Sequence, residues 1–521
     1  MKDLTSSIYD FEELITGGFL YIDKTEYIWK LLEKSREYYF LSRPRRFGKS
    51  LLLSTLKAVF EGKRELFKGL ALYDKPYDWQ QYPVIHIDLG DCCAHNEREL
   101  RRYLADKLID LAEDFDIKIP VRTSQLSGTF SRLIAKLAKK GKEVVVLIDE
   151  YDKPILENIS RKDDLVAIRD TLAEFYSPLK TQQSYERFVF LTGVSKFCHV
   201  SIFSKLNNLN DISMDERFAT MLGYTQEEFV TNFNEYIAQF EAKQELSHEQ
   251  YLDKIKRWYD GFRFHAKAES VYNPVSLASF FMKGGEFNNY WFSTATPTFL
   301  IELIKQRHFN FEKILSEPVS NVAFSAYEVD NPEILPLLLQ TGYLTIHQTR
   351  QVDEQTFYCL DFPNIEVKTA FDTYLINAYT QIGRSDIELK IALLNEYVRQ
   401  GDVENFMQCL QSMLAEIPYT IQIEDEKYYQ TIVFLIFLLL GAYITAESQT
   451  NNGRIDAIAA ANDWVYLFEF KLNKNEEIAF DQILKREYYK RYQYSGKKII
   501  LIGANFNFEK HQLDGWKTKQ L

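Results

Sequence analysis

Up to about residue 206, short apolar runs alternate with stretches whose apolar residues recur at helical spacing. Tyr38–Ser42, Val84–Leu89, Glu143–Asp149 and Arg187–Thr192 read as strands, with Glu97–Phe115 and Phe130–Lys140 as amphipathic helices between them. That alternation predicts a mostly parallel α/β sheet. From Asn207 to Phe299 the strand patterns vanish. Thr225–Gln244 and His248–Trp258 read there as helices, punctuated by Gly261 and Pro274. Between Phe299 and Phe371 a helical piece, Pro332–Gly342, precedes two short β runs, Tyr343–His347 and Thr356–Leu360, an order that suggests a small winged-helix unit. Asp372 to Pro418 read as connector helices. A compact α/β unit closes the chain: helix Glu426–Leu440, strands Arg454–Ala460 and Trp464–Lys471, helix Ile478–Tyr494 and strand Lys498–Ile502. The expected domains are therefore 1–206, 207–298, 299–371, 372–418 and 419–521.

Composition narrows the class. At 521 residues the chain is too long for one core, and 46% hydrophobic with 26% charged residues is ordinary for a soluble globular protein. The five cysteines, Cys92, Cys93, Cys198, Cys359 and Cys409, show neither a CxxC pair nor zinc-ligand spacing. This fits a reducing cytoplasm. The start is polar and acidic, unlike a signal peptide, and the most apolar stretch, Thr431–Ile444, is too short to cross a bilayer. A cytoplasmic protein without membrane contact is expected. A net charge of −12 argues against broad coating of nucleic acid and leaves room only for a local basic groove.

The first candidate chemistry follows the strand Tyr38–Ser42. Arg43-Pro44-Arg45-Arg46-Phe47-Gly48-Lys49-Ser50 opens an apolar helix, the context of a phosphate-binding loop. Backbone N–H groups from Arg46 and Gly48 onward would cradle phosphates, Lys49 would reach the β and γ oxygens of ATP, and Ser50 would hold Mg²⁺. Arg43 stands where the pattern asks for its first glycine. The alternative is a basic turn capping a helix.

Val144–Asp149 is a wholly apolar strand ending in Asp149-Glu150, a Walker-B pattern. Asp149 would hold Mg²⁺ through water, and Glu150 would act as general base for the attacking water. A further strand between the two motifs, and an acid after the Walker-B aspartate, mark the additional-strand, catalytic-glutamate branch of P-loop NTPases. The following strand ends at Thr192-Gly193-Val194-Ser195, where Thr192 or Ser195 is a candidate γ-phosphate sensor.

Taken together, Tyr21-Ile22-Asp23-Lys24-Thr25, the Arg43–Ser50 loop, Asp149-Glu150-Tyr151-Asp152, Tyr259-Asp260-Gly261-Phe262-Arg263-Phe264 and Tyr272-Asn273-Pro274 resemble the AAA-ATPase-like proteins of bacteria. The resemblance covers nearly the whole chain. It implies a restriction-type nuclease domain at the C-terminus, Arg43 as a family trait, Asp23 and Lys24 near the nucleotide, and Asn273-Pro274 contacting it from a helical lid. Arg263 is implied either at the γ-phosphate or in a surface salt bridge.

The C-terminal unit carries its own candidate site. Asp456 lies early in one strand, Ala461-Asn462-Asp463 turns the chain, and Glu469 and Lys471 lie in the returning strand. Alternate side chains share a face, so Glu469 and Lys471 point one way and Phe468 and Phe470 the other, while antiparallel pairing brings Asp456 towards Glu469. Asp456 and Glu469 would bind Mg²⁺ or Mn²⁺, and Lys471 would orient or deprotonate water or steady charge on the phosphate. The spacing Asp–x12–Glu–x–Lys matches the PD-(D/E)XK nucleases. Gln482, with Tyr488 or Tyr489, resembles the Gln-plus-Tyr motif of nucleases in recombination helicases, which implies that Gln482 supports the metal site. Glu426 and Glu447 are additional acids. Lys485, Arg486, Lys490 and Arg491 lie among Tyr488, Tyr489, Tyr492 and Tyr494, a pattern that tracks phosphates and stacks bases or else a solvated face over an aromatic core.

These features predict an α/β protein: a P-loop NTPase with a helical lid and winged helix, followed by a restriction-endonuclease-like domain. The expected activity is an ATP-dependent or ATP-regulated deoxyribonuclease, with defence against foreign DNA as a role by analogy. The alternative is a nucleotide-controlled switch whose last domain binds nucleic acid or protein without cutting. A translocating motor is disfavoured because no helicase motif series follows Asp149-Glu150. ATPases of this branch complete their sites across subunits, so a homo-oligomer is the expected partner besides DNA.

Overall fold

The computed structural model describes residues 1–34, 36–159, 161–196, 208–243, 245–292, 298–306, 318–320, 324, 333–417, 426–441, 445–450, 455–507 and 512–521. The chain forms two compact units, one of Met1–Leu303 and Glu317–Glu366, the other of Ile304–Ser316 and Val367–Leu521.

The first unit is built on strands β1 (Tyr38–Ser42), β2 (Val84–Asp88), β3 (Val144–Asp149), β4 (Glu186–Gly193) and β5 (Leu209–Asp211), all parallel, in the order β2-β3-β4-β1-β5. β1 and β3 are buried at every position, as strands covered on both faces must be. The strand lying between the two phosphate motifs in sequence, β2, pairs outside β3. The strand that parts the motifs in space is β4, which comes after both. β5 falls where no strand was expected, because three residues are too few for a period to register.

The lid helices Gln226–Glu241 and His248–Tyr259 each start at a capping box, Thr225 with Glu228 and Ser247 with Gln250. They share an aromatic core of Phe229, Phe233, Tyr259, Tyr272 and Phe281 with helix Pro274–Met282. Beyond them come a helix at Ile334–Thr341 and the hairpin of β7 (Thr345–Val352) and β8 (Gln355–Asp361), with β6 (Val319–Ser320) on the far side of β8. β7 runs past the expected end at His347 because His347–Val352 is exposed and lacks an apolar alternation.

Glu186 opens β4 fully buried and accepts a hydrogen bond from the Tyr38 hydroxyl, and burial pushes its carboxyl up to about 8. The folded chain therefore keeps this proton where the unfolded chain, with a carboxyl near the ordinary 4.5, has lost it. The stabilisation is complete below 4.5 and drains away as pH rises to about 8, at no more than about 1.4 kcal/mol per pH unit. Glu186→Gln should flatten this dependence, so thermal melts of variant and wild type, close together at pH 5, should separate by pH 8.5 with the variant the more stable.

The second unit carries β9 (Thr445–Thr450), β10 (Ile455–Ala461), β11 (Trp464–Leu472), β12 (Lys498–Asn507) and β13 (Gln512–Gln520), in the order β13-β12-β11-β10-β9. β11 and β12 are parallel and the other pairings antiparallel. β9 and β13 were not expected, since both are polar edge strands. Helices α1 (Arg384–Gln400), α2 (Val403–Ala415) and α3 (Glu426–Leu440) cover one face: Phe468 packs on Phe406 and Phe437, and the Tyr466 hydroxyl donates to the Val398 carbonyl. Helix α4 (Glu476–Arg486) covers the other, with Phe480 and Ile483 on Val465, Leu467 and Leu501. The single helix expected over Ile478–Tyr494 ends at Glu487, which takes left-handed backbone, and a 3₁₀ turn follows over Tyr488–Tyr492. Tyr489 and Tyr492 pack against the core there, and meeting the sheet breaks the helix. Among the described residues no helix is long and apolar enough to cross a membrane.

Candidate functional site

The phosphate loop leaves β1 and enters the helix Lys49–Phe60 through Gly48 at φ +91°. Among the described residues no side chain caps this helix, and a Cβ on Gly48 would meet nothing within 4 Å. The first N–H groups thus have no side-chain cap among the described residues, an arrangement that fits an anionic phosphate. Lys49 is buried, its Nζ donating to the carbonyls of Arg43 (3.1 Å) and Pro44 (3.0 Å). Burial lowers its ammonium pKa, opposed by the charges of Glu150, Asp149 and Asp152. Ser50 is half-buried in the first turn of the same helix. Arg46 takes left-handed backbone (φ +68°). Its side chain turns to the N-terminal segment, donating to the Tyr9 hydroxyl and the Ser6 carbonyl.

Because β4 lies between β1 and β3, Thr192 comes beside the Walker-B acid: its hydroxyl donates to Asp149 Oδ1 at 2.5 Å. Glu150 N–H donates to the same oxygen at 2.9 Å, and Glu150 itself holds φ +50°. Such backbone costs about 1–3 kcal/mol in a non-glycine residue and clusters at working sites. Burial raises the Glu150 carboxyl pKa, with Lys49 opposing and Asp149 adding.

Sequence reasoning passed over Asp152. Wholly buried, it accepts from Ser195 N (2.7 Å), Ser195 Oγ (2.7 Å) and Val194 N, and so builds the turn after Thr192. Gly193 is required there, since a Cβ would lie 2.4 Å from Tyr151 Cε1. Ser195 is thus committed to Asp152, whereas Thr192 touches Asp149. The signal was present in the repeated acid of Asp149-Glu150-Tyr151-Asp152.

The remaining residues implied near the nucleotide have structural partners. Asp23 accepts from Thr25 and from Ala71 N–H, Lys24 binds Glu228 at 2.6 Å, and Asn273 caps its helix through Val275 and Ser276 N–H. Arg263 donates to the His347 carbonyl at 3.2 Å.

In the second unit Asp456 and Glu469 are direct register partners. The Asp456 side chain, like those of Glu426, Glu447, Tyr488 and Arg491, lies outside the described residues. Glu469 is 0% exposed and Lys471 6%, and Lys471 Nζ donates to Glu469 Oε1 at 2.7 Å. Both share the face of Val465 and Leu467, towards α4. The backbone of α4 is pressed onto the sheet at this level: a Cβ on Gly503, register partner of Glu469, would lie 2.4 Å from Phe480 N. Gln482 rides on α4, and its buried Nε2 has no hydrogen-bond partner among the described residues. A buried carboxylate, an aspartate opposite it and an unanswered amide N–H suit a divalent cation and its waters. Asn505, the register partner of Lys471, is also buried, and its Oδ1 accepts from Lys474 N–H.

Two family profiles match the chain: predicted AAA-ATPase over residues 6–203, and the PD-(D/E)XK nuclease superfamily over residues 424–516. The "Uncharacterized protein in vnfD 5′ region" of Azotobacter chroococcum mcd 1 is 34% identical over 530 residues, 100% of this chain and 99% of that one. The chain belongs to the AAA-ATPase-like family with a C-terminal PD-(D/E)XK nuclease superfamily domain. Among solved structures, the Aeropyrum pernix Orc1 protein in complex with DNA is 10% identical, over 67% of this chain and 91% of that chain, with a TM-score of 0.24. A likeness that slight carries no argument for fold or ligand. The family points to an ATPase joined to a nuclease-like domain, and domains of these two kinds generally use ATP and divalent metals.

Proposed function

We propose that the chain hydrolyses ATP in its first unit and uses the nucleotide state to control a divalent-metal-dependent deoxyribonuclease in its second. The observation that carries the nuclease half is the register pair Asp456–Glu469 with Lys471 Nζ 2.7 Å from Glu469. A buried lysine–carboxylate pair beside a second acid is costly to keep in a module that only binds.

Glu469 and Asp456 would hold Mg²⁺ or Mn²⁺, which when bound polarises a phosphate and lowers the pKa of its water. Lys471 orients the attacking water or steadies the charge on phosphate oxygens, and Gln482 Nε2 supplies a donor to the same group. In the first unit Lys49 and the uncapped helix start bind the ATP phosphates, and Ser50 and Asp149 would hold Mg²⁺. Thr192 fixes the Asp149 carboxylate, and Glu150 accepts the proton of the attacking water. The net charge of −12 confines DNA to local basic surface. A role in defence against foreign DNA is the matching biological setting, and a homo-oligomer the matching assembly.

The test offers the full chain supercoiled, linear and single-stranded DNA, and RNA, with Mg²⁺ or Mn²⁺ and with or without ATP. Cutting of DNA that stops on chelation supports the proposal. ATP hydrolysis with no cutting of any substrate would leave the non-cutting switch as the function.

A further inference from the structure

Where the common phosphate-loop pattern has its first glycine, this chain has Arg43, and the structure gives that arginine a task. Arg43 is not among the residues with positive φ; the loop spends its left-handed conformations on Arg46 and Gly48. Position 43 therefore does not require glycine, and its side chain is free to leave on the far side of the loop. The side chain is 1% exposed. Its Nη1 donates to the carbonyls of Ser42 (2.9 Å) and Ser213 (2.6 Å), and its Nη2 to that of Phe218 (3.1 Å). The guanidinium lies 4.1 Å over the Phe264 ring, and Arg43 N–H donates to Gly193 O at the end of β4.

The same residue's carbonyl, with that of Pro44, receives Lys49 Nζ. The peptide that holds the phosphate-binding ammonium is thus itself fixed by a planar fork bound to three carbonyls. Lysine, with one compact ammonium, cannot reproduce that geometry. Neighbouring loop residues are gripped as well. Trp291 Nε1 donates to Arg45 O at 3.0 Å, and a Cβ on Gly342 would lie 2.6 Å from Pro44 Cγ.

We propose that Arg43 is a positioning residue: its guanidinium sets the two carbonyls that aim Lys49 at the terminal phosphates, doing by anchorage what glycine does elsewhere by conformational freedom. The inference rests on the ATP-binding reading of this loop. It makes a counter-intuitive statement: Arg43→Gly, which restores the common pattern, damages the site.

The experiment measures the affinity of the full chain for fluorescent ATP and ADP analogues, in wild type, Arg43→Gly, Arg43→Lys and Lys49→Ala. Melting temperatures are read in parallel. Lys49 serves the β and γ oxygens, so losing its aim removes a charge-assisted bond felt more by ATP than by ADP. ATP affinity in both Arg43 variants should fall roughly tenfold, and the ATP-to-ADP preference should move towards that of Lys49→Ala. If Arg43→Gly does not fold, Arg43→Lys decides. Affinities that fall in proportion, leaving the preference unchanged, mark Arg43 as merely structural and overturn the proposal, as does ATP binding by Arg43→Gly equal to wild type. Wild-type chain that binds neither nucleotide instead removes the ATP-binding reading itself, and this inference with it.

Discussion

Lys471→Ala is expected to abolish metal-dependent cleavage and, in the absence of metal, to destabilise the C-terminal unit. The activity loss follows from removing the ammonium that lies 2.7 Å from Glu469 Oε1. Groups of this kind contribute about 10²–10⁴-fold to rate. The stability loss follows from burial. Glu469 is 0% exposed and Lys471 6%, and removing one partner of a buried ion pair costs about 3–5 kcal/mol. A divalent cation supplies the missing positive charge. Mn²⁺ should therefore raise the melting temperature of Lys471→Ala more than that of the wild type, while cleavage stays lost. Lys471→Ala combined with Glu469→Gln should regain stability without metal and lose the response to Mn²⁺. A lysine variant equally stable with and without metal would show that no cation enters this pair.

Glu150→Gln is the second large effect. The variant should bind ATP close to normally and hydrolyse it about 10²–10⁴-fold more slowly, because the amide cannot accept the proton of the attacking water. A pH profile separates this role from a packing defect. Burial raises the Glu150 carboxyl above its ordinary 4.5, and a general base works only when ionised. The wild-type rate should thus fall on acidification while the pH is still above 4.5. The residual rate of Glu150→Gln should show no such acid limb. A wild-type profile that stays flat down to pH 4.5 would remove Glu150 as the base.

Both candidate sites were legible where their residues lie within one strand and its adjoining turn. The loop Arg43–Ser50 and the strand ending at Asp149 each declare themselves in a single local pattern. The pairing of Asp456 with Glu469 follows from a short turn and the two-residue period of a strand. What was not legible depends on contacts distant in sequence. That β4 and not β2 separates the two motifs is a crossover choice, invisible in the composition of either strand. The destination of Arg43 lies with Ser213, Phe218 and Phe264, about 170 to 220 residues further along the chain, and no local pattern links them to the loop. β9 and β13 escaped because both sequences are polar and carry no apolar alternation. In the aromatic and basic run after Gln482, Tyr489 and Tyr492 pack against the core, while Tyr494 is 97% exposed.

The central claim is that one chain joins an ATP-driven control element to a metal-dependent nuclease. Its most direct test is the rate of Mn²⁺-dependent DNA cleavage by wild type and Glu150→Gln, each with and without ATP, beside Lys471→Ala as the blank. The account predicts cleavage absent from the blank, a rate that changes when ATP is added, and a change that persists in Glu150→Gln after the wild type has consumed its nucleotide. Cleavage that survives in Lys471→Ala, or that proceeds at one rate whatever the nucleotide, would contradict it.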